Sequence, residues 1–598
     1  MCISAVTITH WYNILLSLHQ LCNPFIYSVK VIHSTSIQAA KLCAVKGPKE
    51  KTHTRMRQTL LFLVLLLCCV SGSVAVAAHR CISEKIEKKV GPRTTAVVLE
   101  LPTRGGGMIR ALTASAPEWA PIRFQFFTED LNDPSRYCTA EGQIRPDFTG
   151  GTLECKGEDI LTEEKKSIIL KSLVPRALKM HADRLLVEPL TGRVIVPKYS
   201  SGVCAQFTIP SSHHTVGVFG ADMYLYVSAG PTQDSTLAWA HFCTELPDGR
   251  PVVGVMDYGP SSVTDSEYGV RALAHEIAHA LGFTLEIMEK RNMLKEFEGV
   301  RGKAAVVQVS SPKTVEKTRE HFNCVSATGM ELEDEGGNET ALSHWKRRNA
   351  KDELMAGIPG IGYYTALTMA AFEDTGFYKA NWGMEEPMSW GNNSGCALLT
   401  EKCVINGVTK YPEMFCTARS SPLLCTSDRL ALGHCAMKLY DAPLPPQYQY
   451  FPNPKLGGVP DLLMDFCPYI RPNIKTRCSN GDKALMRGSR VGPRSKCLKG
   501  DGLADSEGFV GDVCAEVSCD KGEVSVRYLG DDAWHKCPEG SSITPTGLFM
   551  KGRILCPKYD DVCIFFDTIN GGGDASSLLS AFPPIPLVML LLIFISMC

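Results

Sequence analysis

Residues 273–283 read LAHEIAHALGF. Two histidines, His275 and His279, stand four apart; Glu276 follows the first, and Gly282 comes three residues after the second. On an α-helix, residues i and i+4 share a face one turn apart, so both imidazoles can reach one ion. The carboxylate beside the first histidine then points at the open coordination position. There it can take a proton from an attacking water and pass it to a leaving amine. Ser262, Thr264 or Asp265 are candidate N-caps with Glu267 close behind, and Gly282 is placed to stop the helix at C′. The competing reading is an ordinary buried helix that spells the motif by chance, which the low frequency of histidine and the flanking cap and stop signals disfavour.

Two ligands leave a catalytic zinc incomplete. A histidine at 285 would complete the compact H-E-x-x-H-x-x-G-x-x-H pattern, but that position is Leu285. Downstream stand His321, His344, His434 and His535; Glu296 or Glu298 offers the carboxylate alternative, without the N-E-x-x-x-D setting of that class. Gly282 favours the histidine class, because glycine lets the chain turn sharply beneath the metal. The stretch SHWKRRNAKDELMAG, 343–357, carries His344 and then Met355. A methionine in a tight turn about a dozen residues after a third histidine is the Met-turn, whose thioether forms an apolar floor and is not a ligand. His344 alone, beside Trp345 and a basic run, would read as a surface histidine, and Met355 alone as core; their spacing joins them. Tyr363 and Tyr364 could donate to an oxyanion, although aromatic core packing is the better reading.

The chain has 598 residues, a formal net charge of -1 and no long basic run, which points away from nucleic acid and acidic lipid. Its 25 cysteines are spread out and not paired as C-x-x-C, a usage suited to an oxidising compartment. RMRQTLLFLVLLLCCVSGSVAVAA, 55–78, has the basic, apolar and small-residue layout of a signal peptide. We expect residues 1–55 to be an upstream extension and 56–78 the signal; an internal signal-anchor is the alternative. The last residues, NGGGDASSLLSAFPPIPLVMLLLIFISMC from 570, end in an apolar run with no Lys or Arg beyond it. That pattern favours a GPI-anchor signal over 571–598, and with it a membrane partner through the lipid, over a spanning helix. Outside these segments, eighteen cysteines lie between Cys138 and Cys563, enough for nine disulfides, and Cys81 stands apart.

Strand-like IRFQFFTEDL, a helical run through Ile168, Ile169, Leu173 and Leu178, and strand-like HHTVGVFGADMYLYVSAG and GRPVVGVMDYG precede the motif helix. This is the order of an α/β layer. TALTMAAFEDTGFY, 365–378, reads as a further helix, and beyond Gly395 frequent cysteine, glycine and proline predict short disulfide-pinned strands.

HEIAHALGF, the long insertion, SHWKRRNAKDELMAG and GYYTALTMAAFEDTGFY together resemble leishmanolysin, the major surface metalloprotease family of trypanosomatids; CTAEGQI, EDILTEEKK and WGNNSGCALLTEKC also fit. The resemblance spans about 79–570, and 61 residues lie between Gly282 and His344. It implies a zinc endopeptidase of the metzincin type, acting on protein and peptide substrates at the cell surface or shed. One zinc per chain would be held by His275, His279 and His344, with Glu276 as base and Met355 in the Met-turn. The implied fold is α+β: a twisted sheet plus zinc helix over 119–283, a more helical central subdomain over 284–394 with the third histidine, and a disulfide-rich, mainly β domain over 395–570. Cys81, in HRCISEK, falls in a pro-segment over 79–118, where a thiolate could close the open zinc position; the resemblance implies a cysteine there. A change of texture puts the mature start within 108–122. Asn338 and Asn392 lie in glycosylation sequons. A surface adhesion protein that kept the fold without activity is the alternative function.

Overall fold

The computed structural model describes residues 81–563 apart from 92, 100–117, 234–235, 338–339, 359 and 420–421. The expected upstream extension, signal peptide and anchor signal, and the sequon residue Asn338, lie outside the described residues.

The centre of the N-terminal half is a five-stranded sheet. Its strands are β1 (Thr94–Thr95), β2 (Phe124–Phe127), β3 (Met223–Ser228), β4 (Ala238–Glu245) and β5 (Pro251–Tyr258), in the order β1-β4-β5-β3-β2. Strands β2, β3 and β5 run parallel, and β4 runs antiparallel to β5. MYLYVS and PVVGVMDY are buried along their whole length, which is why they read as continuous apolar runs and not as alternation. The β4–β5 turn is set by Asp248 and Gly249: Gly249 has φ +92°, and the Arg250 amide donates to Asp248 Oδ1 at 3.0 Å. The β4–β5 register shifts near Cys243, which is disulfide-bonded to Cys204.

Two helices, α1 (Val174–Ala182) and α2 (Glu267–Ala280), belong to the layer on one face. Leu173, Ala177, Leu273 and Ile277 share a core with Leu225, Ala240 and Met256. The chain enters α1 through a wide π-turn over Ile169–Leu173. That turn absorbs Pro175, which has no N–H for the ladder. The opposite sheet face presents Tyr224, Trp239 and Val253 to a second core that includes Ile86, Val90 and Ala96 of the proposed pro-segment.

Beyond α2 the chain forms an antiparallel hairpin, β6 (Leu294–Glu298) and β7 (Ala305–Val309), then helices α3 (Pro312–Phe322) and α4 (Ala366–Asp374). The helix expected at 365–378 is α4. The hairpin and α3 lie in the long insertion between Gly282 and His344. Cys324–Cys396 ties this region to the start of the last one. From Cys403 to Cys563 six disulfides pin short, mostly antiparallel strands. The eighteen cysteines from Cys138 to Cys563 are paired in nine bonds, and Cys81 lies outside that set. No helix among the described residues is long and apolar enough to cross a membrane.

Candidate metal centre

Helix α2 is capped by Ser266, whose hydroxyl accepts from the Gly269 amide at 3.2 Å. Ser262, Thr264 and Asp265 are therefore not the cap: Pro260–Ser262 form a separate 3-10 turn, and Asp265 instead accepts from Ser172 at 2.7 Å. From Gly269 to Ala280 every residue of α2 is buried. At the other end Gly282, at φ +105°, takes the C′ position, with the Phe283 amide on the Ala278 carbonyl at 3.0 Å.

This turn acts directly on the site. The Phe283 carbonyl that it brings round accepts from His279 Nδ1 at 2.8 Å. His275 Nδ1 donates to the Leu354 carbonyl at 2.6 Å, and His344 Nδ1 to the Thr340 carbonyl at 2.9 Å. A ring nitrogen facing a carbonyl must carry the proton, so each Nε2 keeps its lone pair. The three Nε2 atoms converge: His275–His344 is 3.1 Å, and His279 lies 3.3 Å from each. Three proton-free nitrogens repel one another unless a cation lies among them. Nitrogens held tetrahedrally at about 2.0–2.1 Å from zinc stand about 3.3–3.4 Å apart, so this donor set fits that ion. Burial pushes His279 well below the ordinary histidine range, and the neighbouring His344 and His275 add to the shift.

Cys81 completes the cluster. Its Sγ lies 3.4 Å from His279 Nε2 and 3.6 Å from Glu276 Oε2, and all four residues are buried. Glu276 is thus at the same place, one residue after His275 on the helix.

Met355 is fully buried in a tight turn. Its amide donates to Glu353 Oε2 at 2.5 Å, and its carbonyl accepts from the Trp345 amide at 2.9 Å. The turn also supplies the Leu354 carbonyl that orients His275, so it binds a residue of α2 to the segment carrying His344. Glu353 was not singled out from sequence. It accepts from Thr365 Oγ1 at 2.8 Å and Thr368 Oγ1 at 2.7 Å, and burial pushes its pKa up to about 7 against these bonds. The signal was present in DELMAG: an acid inside an apolar turn needs partners.

The rival ligands lie elsewhere. Glu296 and Glu298 are exposed on β6. His321 donates to the Trp390 carbonyl at 2.9 Å, and His535 pairs with Asp531. His434 is an exposed residue of another strand. Tyr364 is core, its hydroxyl 3.1 Å from His181 Nδ1, and Tyr363 is buried beside it. The basic run after His344 is not a surface feature: Lys346, Arg347, Arg348 and Lys351 are all buried. Asn392 is exposed in a turn.

The leishmanolysin family profile matches residues 79–571. A leishmanolysin homolog of Crithidia fasciculata is 37% identical over 489 residues, covering 79% of this chain and 74% of the relative. Leishmanolysin of Leishmania major is 38% identical over 466 residues, 74% of this chain and 76% of the relative. That of Leishmania donovani is 36% identical over 557 residues, 87% and 94% respectively. The chain belongs to the leishmanolysin family of metalloendopeptidases.

Proposed function

We propose that this protein is a zinc endopeptidase made latent by its own N-terminal segment, with His275, His279 and His344 as the metal ligands and Glu276 as the general base. The observation that carries the reading is the meeting of three Nε2 atoms at 3.1–3.3 Å, each with its Nδ1 committed to a carbonyl. A zinc ion held there supplies Lewis acidity toward the scissile carbonyl and lowers the pKa of a water. Glu276 takes a proton from the attacking water as the oxygen adds to the carbonyl carbon. It returns that proton to the amide nitrogen as the C–N bond breaks, so no covalent enzyme intermediate is formed. Glu276 does this from a rigid, buried helix, which holds its carboxylate in one place relative to the ligands.

Cys81 lies against both the base and a ligand, and in this reading residues 79–118 form the pro-segment that keeps the enzyme inactive. The segment's β1 also takes the outer edge of β4, pairing parallel at Thr94–Thr244 and Thr95–Glu245. A free strand edge is where an extended peptide can add. Departure of the segment would open the centre and that edge together. The substrate cleft is assigned between 119–283, which supplies α2, and 284–394, which supplies His344 and Met355. The signal layout of 56–78 and the tail of 571–598 support export and a GPI anchor at the cell surface, and Asn392 is an exposed acceptor for glycosylation.

The test is metal content with casein hydrolysis after removal of the segment, wild type against Glu276→Ala. Zinc in both with turnover in the wild type alone is the expected result. Zinc without turnover in the wild type would favour a non-catalytic adhesion protein on the same fold.

A further inference from the structure

Twelve residues after Cys81, Arg93 is enclosed by the body of the protein. Its Nε and Nη2 donate to Glu286 Oε2 at 3.0 and 2.6 Å, and its Nη1 donates to the Phe242 carbonyl at 2.5 Å. Nη2 also lies 2.8 Å from His241 Nε2, and the guanidinium stacks 3.8 Å from the centre of the Phe242 ring. Only 14% of the side chain is exposed. Glu286 stands on the short helix Leu285–Lys290 that follows the Gly282 turn; His241 and Phe242 belong to β4. All three nitrogens of the fork reach acceptors, an arrangement that a lysine's single ammonium in the same place could not reproduce.

These partners are separate from those of Cys81. The thiol touches a proposed ligand and the proposed base, whereas Arg93 touches the Phe242 carbonyl, the His241 ring and the Glu286 carboxylate, none of which is a proposed ligand or the base. We infer that Arg93 is a second, independent anchor of the segment: Cys81 blocks the centre, and Arg93 retains the segment on the body. The inference rests on reading 79–118 as a pro-segment. Ile86, Val90 and Ala96 add apolar burial to the same docking, which is non-directional, and the pairing of Thr94 and Thr95 with β4 adds backbone bonds; the guanidinium fork adds a directional, charge-assisted anchor beside them. One consequence is that a cut between 100 and 117 does not by itself activate. It leaves both anchors on one fragment, still docked.

Limited trypsin on the full chain at neutral pH, at Arg104 or Arg110 as verified by mass, followed by gel filtration, reads retention of the fragment directly. The wild type and Cys81→Ala should keep the fragment. Arg93→Ala should release it roughly 30-fold faster, the loss that follows truncation of one partner of an enclosed charge pair. Glu286→Gln should release it faster too, with Arg93 itself unchanged, and Arg93→Lys should fall between. Release from Cys81→Ala with retention by Arg93→Ala and Glu286→Gln, or retention by all of them, overturns the inference. The readout needs no hydrolysis. A stripped body without zinc or turnover removes the peptidase reading and leaves the anchor intact. A latent zinc enzyme whose fragment is indifferent to Arg93 removes the anchor alone.

Discussion

The Nζ of Lys346 and the carboxylate of Asp465 meet at 2.7 Å in the interior, one from the segment that carries His344 and the other from the disulfide-pinned region. Lys346 also holds Glu333 and Asp334 at 2.6 Å, and Asp465 also holds Lys303 at 2.9 Å. The third histidine is thus braced from behind by charges that the C-terminal region supplies. Burial pushes the Asp465 carboxyl up, but Lys346, Lys303 and Arg301 outweigh it and hold it well below the usual carboxylate range. Its pKa being depressed on folding, the stability it contributes is present above its unfolded pKa and is lost only as pH falls below that value. Asp465→Asn should therefore destabilise the protein by about 3 kcal/mol or more at neutral pH. It should also weaken metal affinity through His344. Thermal melting and zinc competition check both; an unchanged melting temperature would show that the network is not structural.

Much of the site was legible because it is local. The i, i+4 histidines, the adjacent glutamate and the stop at Gly282 all lie within one helix and its exit. His344 was legible only through Met355, since a distant member of a cluster has no periodicity of its own. The burial of Lys346, Arg347, Arg348 and Lys351 was not legible. Lys346 and Arg347 meet Glu333, Asp334, Asp461 and Asp465 from other stretches, Arg348 donates to the Leu398 and Glu401 carbonyls, and Lys351 pairs with the adjacent Asp352 and with Ser427; a basic run looks solvated until such partners are brought to it. Hairpin β6–β7 was hidden for another reason: β6 alternates weakly, with three of its five residues exposed. Ser266 took the cap from its neighbours because the 3-10 turn at 260–262 delays the helix start. Nothing in the sequence sets Arg93 apart from the other charges of 79–118, because its partners Phe242 and Glu286 lie far along the chain.

Glu353 predicts a pH signature. Its folded pKa, about 7, lies above the ordinary carboxylate value because of burial. Between its unfolded value and 7 the folded state binds more protons than the unfolded state, so stability should fall as pH rises through that window and level off above it. Glu353→Gln should flatten this slope between pH 4.5 and 7 in thermal melts. A slope identical to wild type would show that Glu353 does not take up that proton.

The third ligand can be tested against its rival. His344→Ala should abolish stoichiometric zinc, and Glu298→Ala, on the exposed face of β6, should leave it intact. The reverse pattern by metal analysis would overturn the assignment. Chelation should lower the melting temperature of the wild type, with recovery on adding zinc, because an ion that binds only the folded state stabilises it by mass action.

Gly282 supplies a test of how the helix exit serves the centre. An added Cβ there would meet Pro251 and Ile287 at ordinary contact distances of 3.5 and 3.6 Å, so space is not the obstacle. The backbone is, because φ is +105°. Gly282→Ala should cost about 1–2 kcal/mol in stability. Because the same turn aims the Phe283 carbonyl at His279 Nδ1, zinc affinity should fall along with stability. A variant that melts lower but binds zinc with wild-type affinity would show that the turn shapes the fold without orienting the ligand.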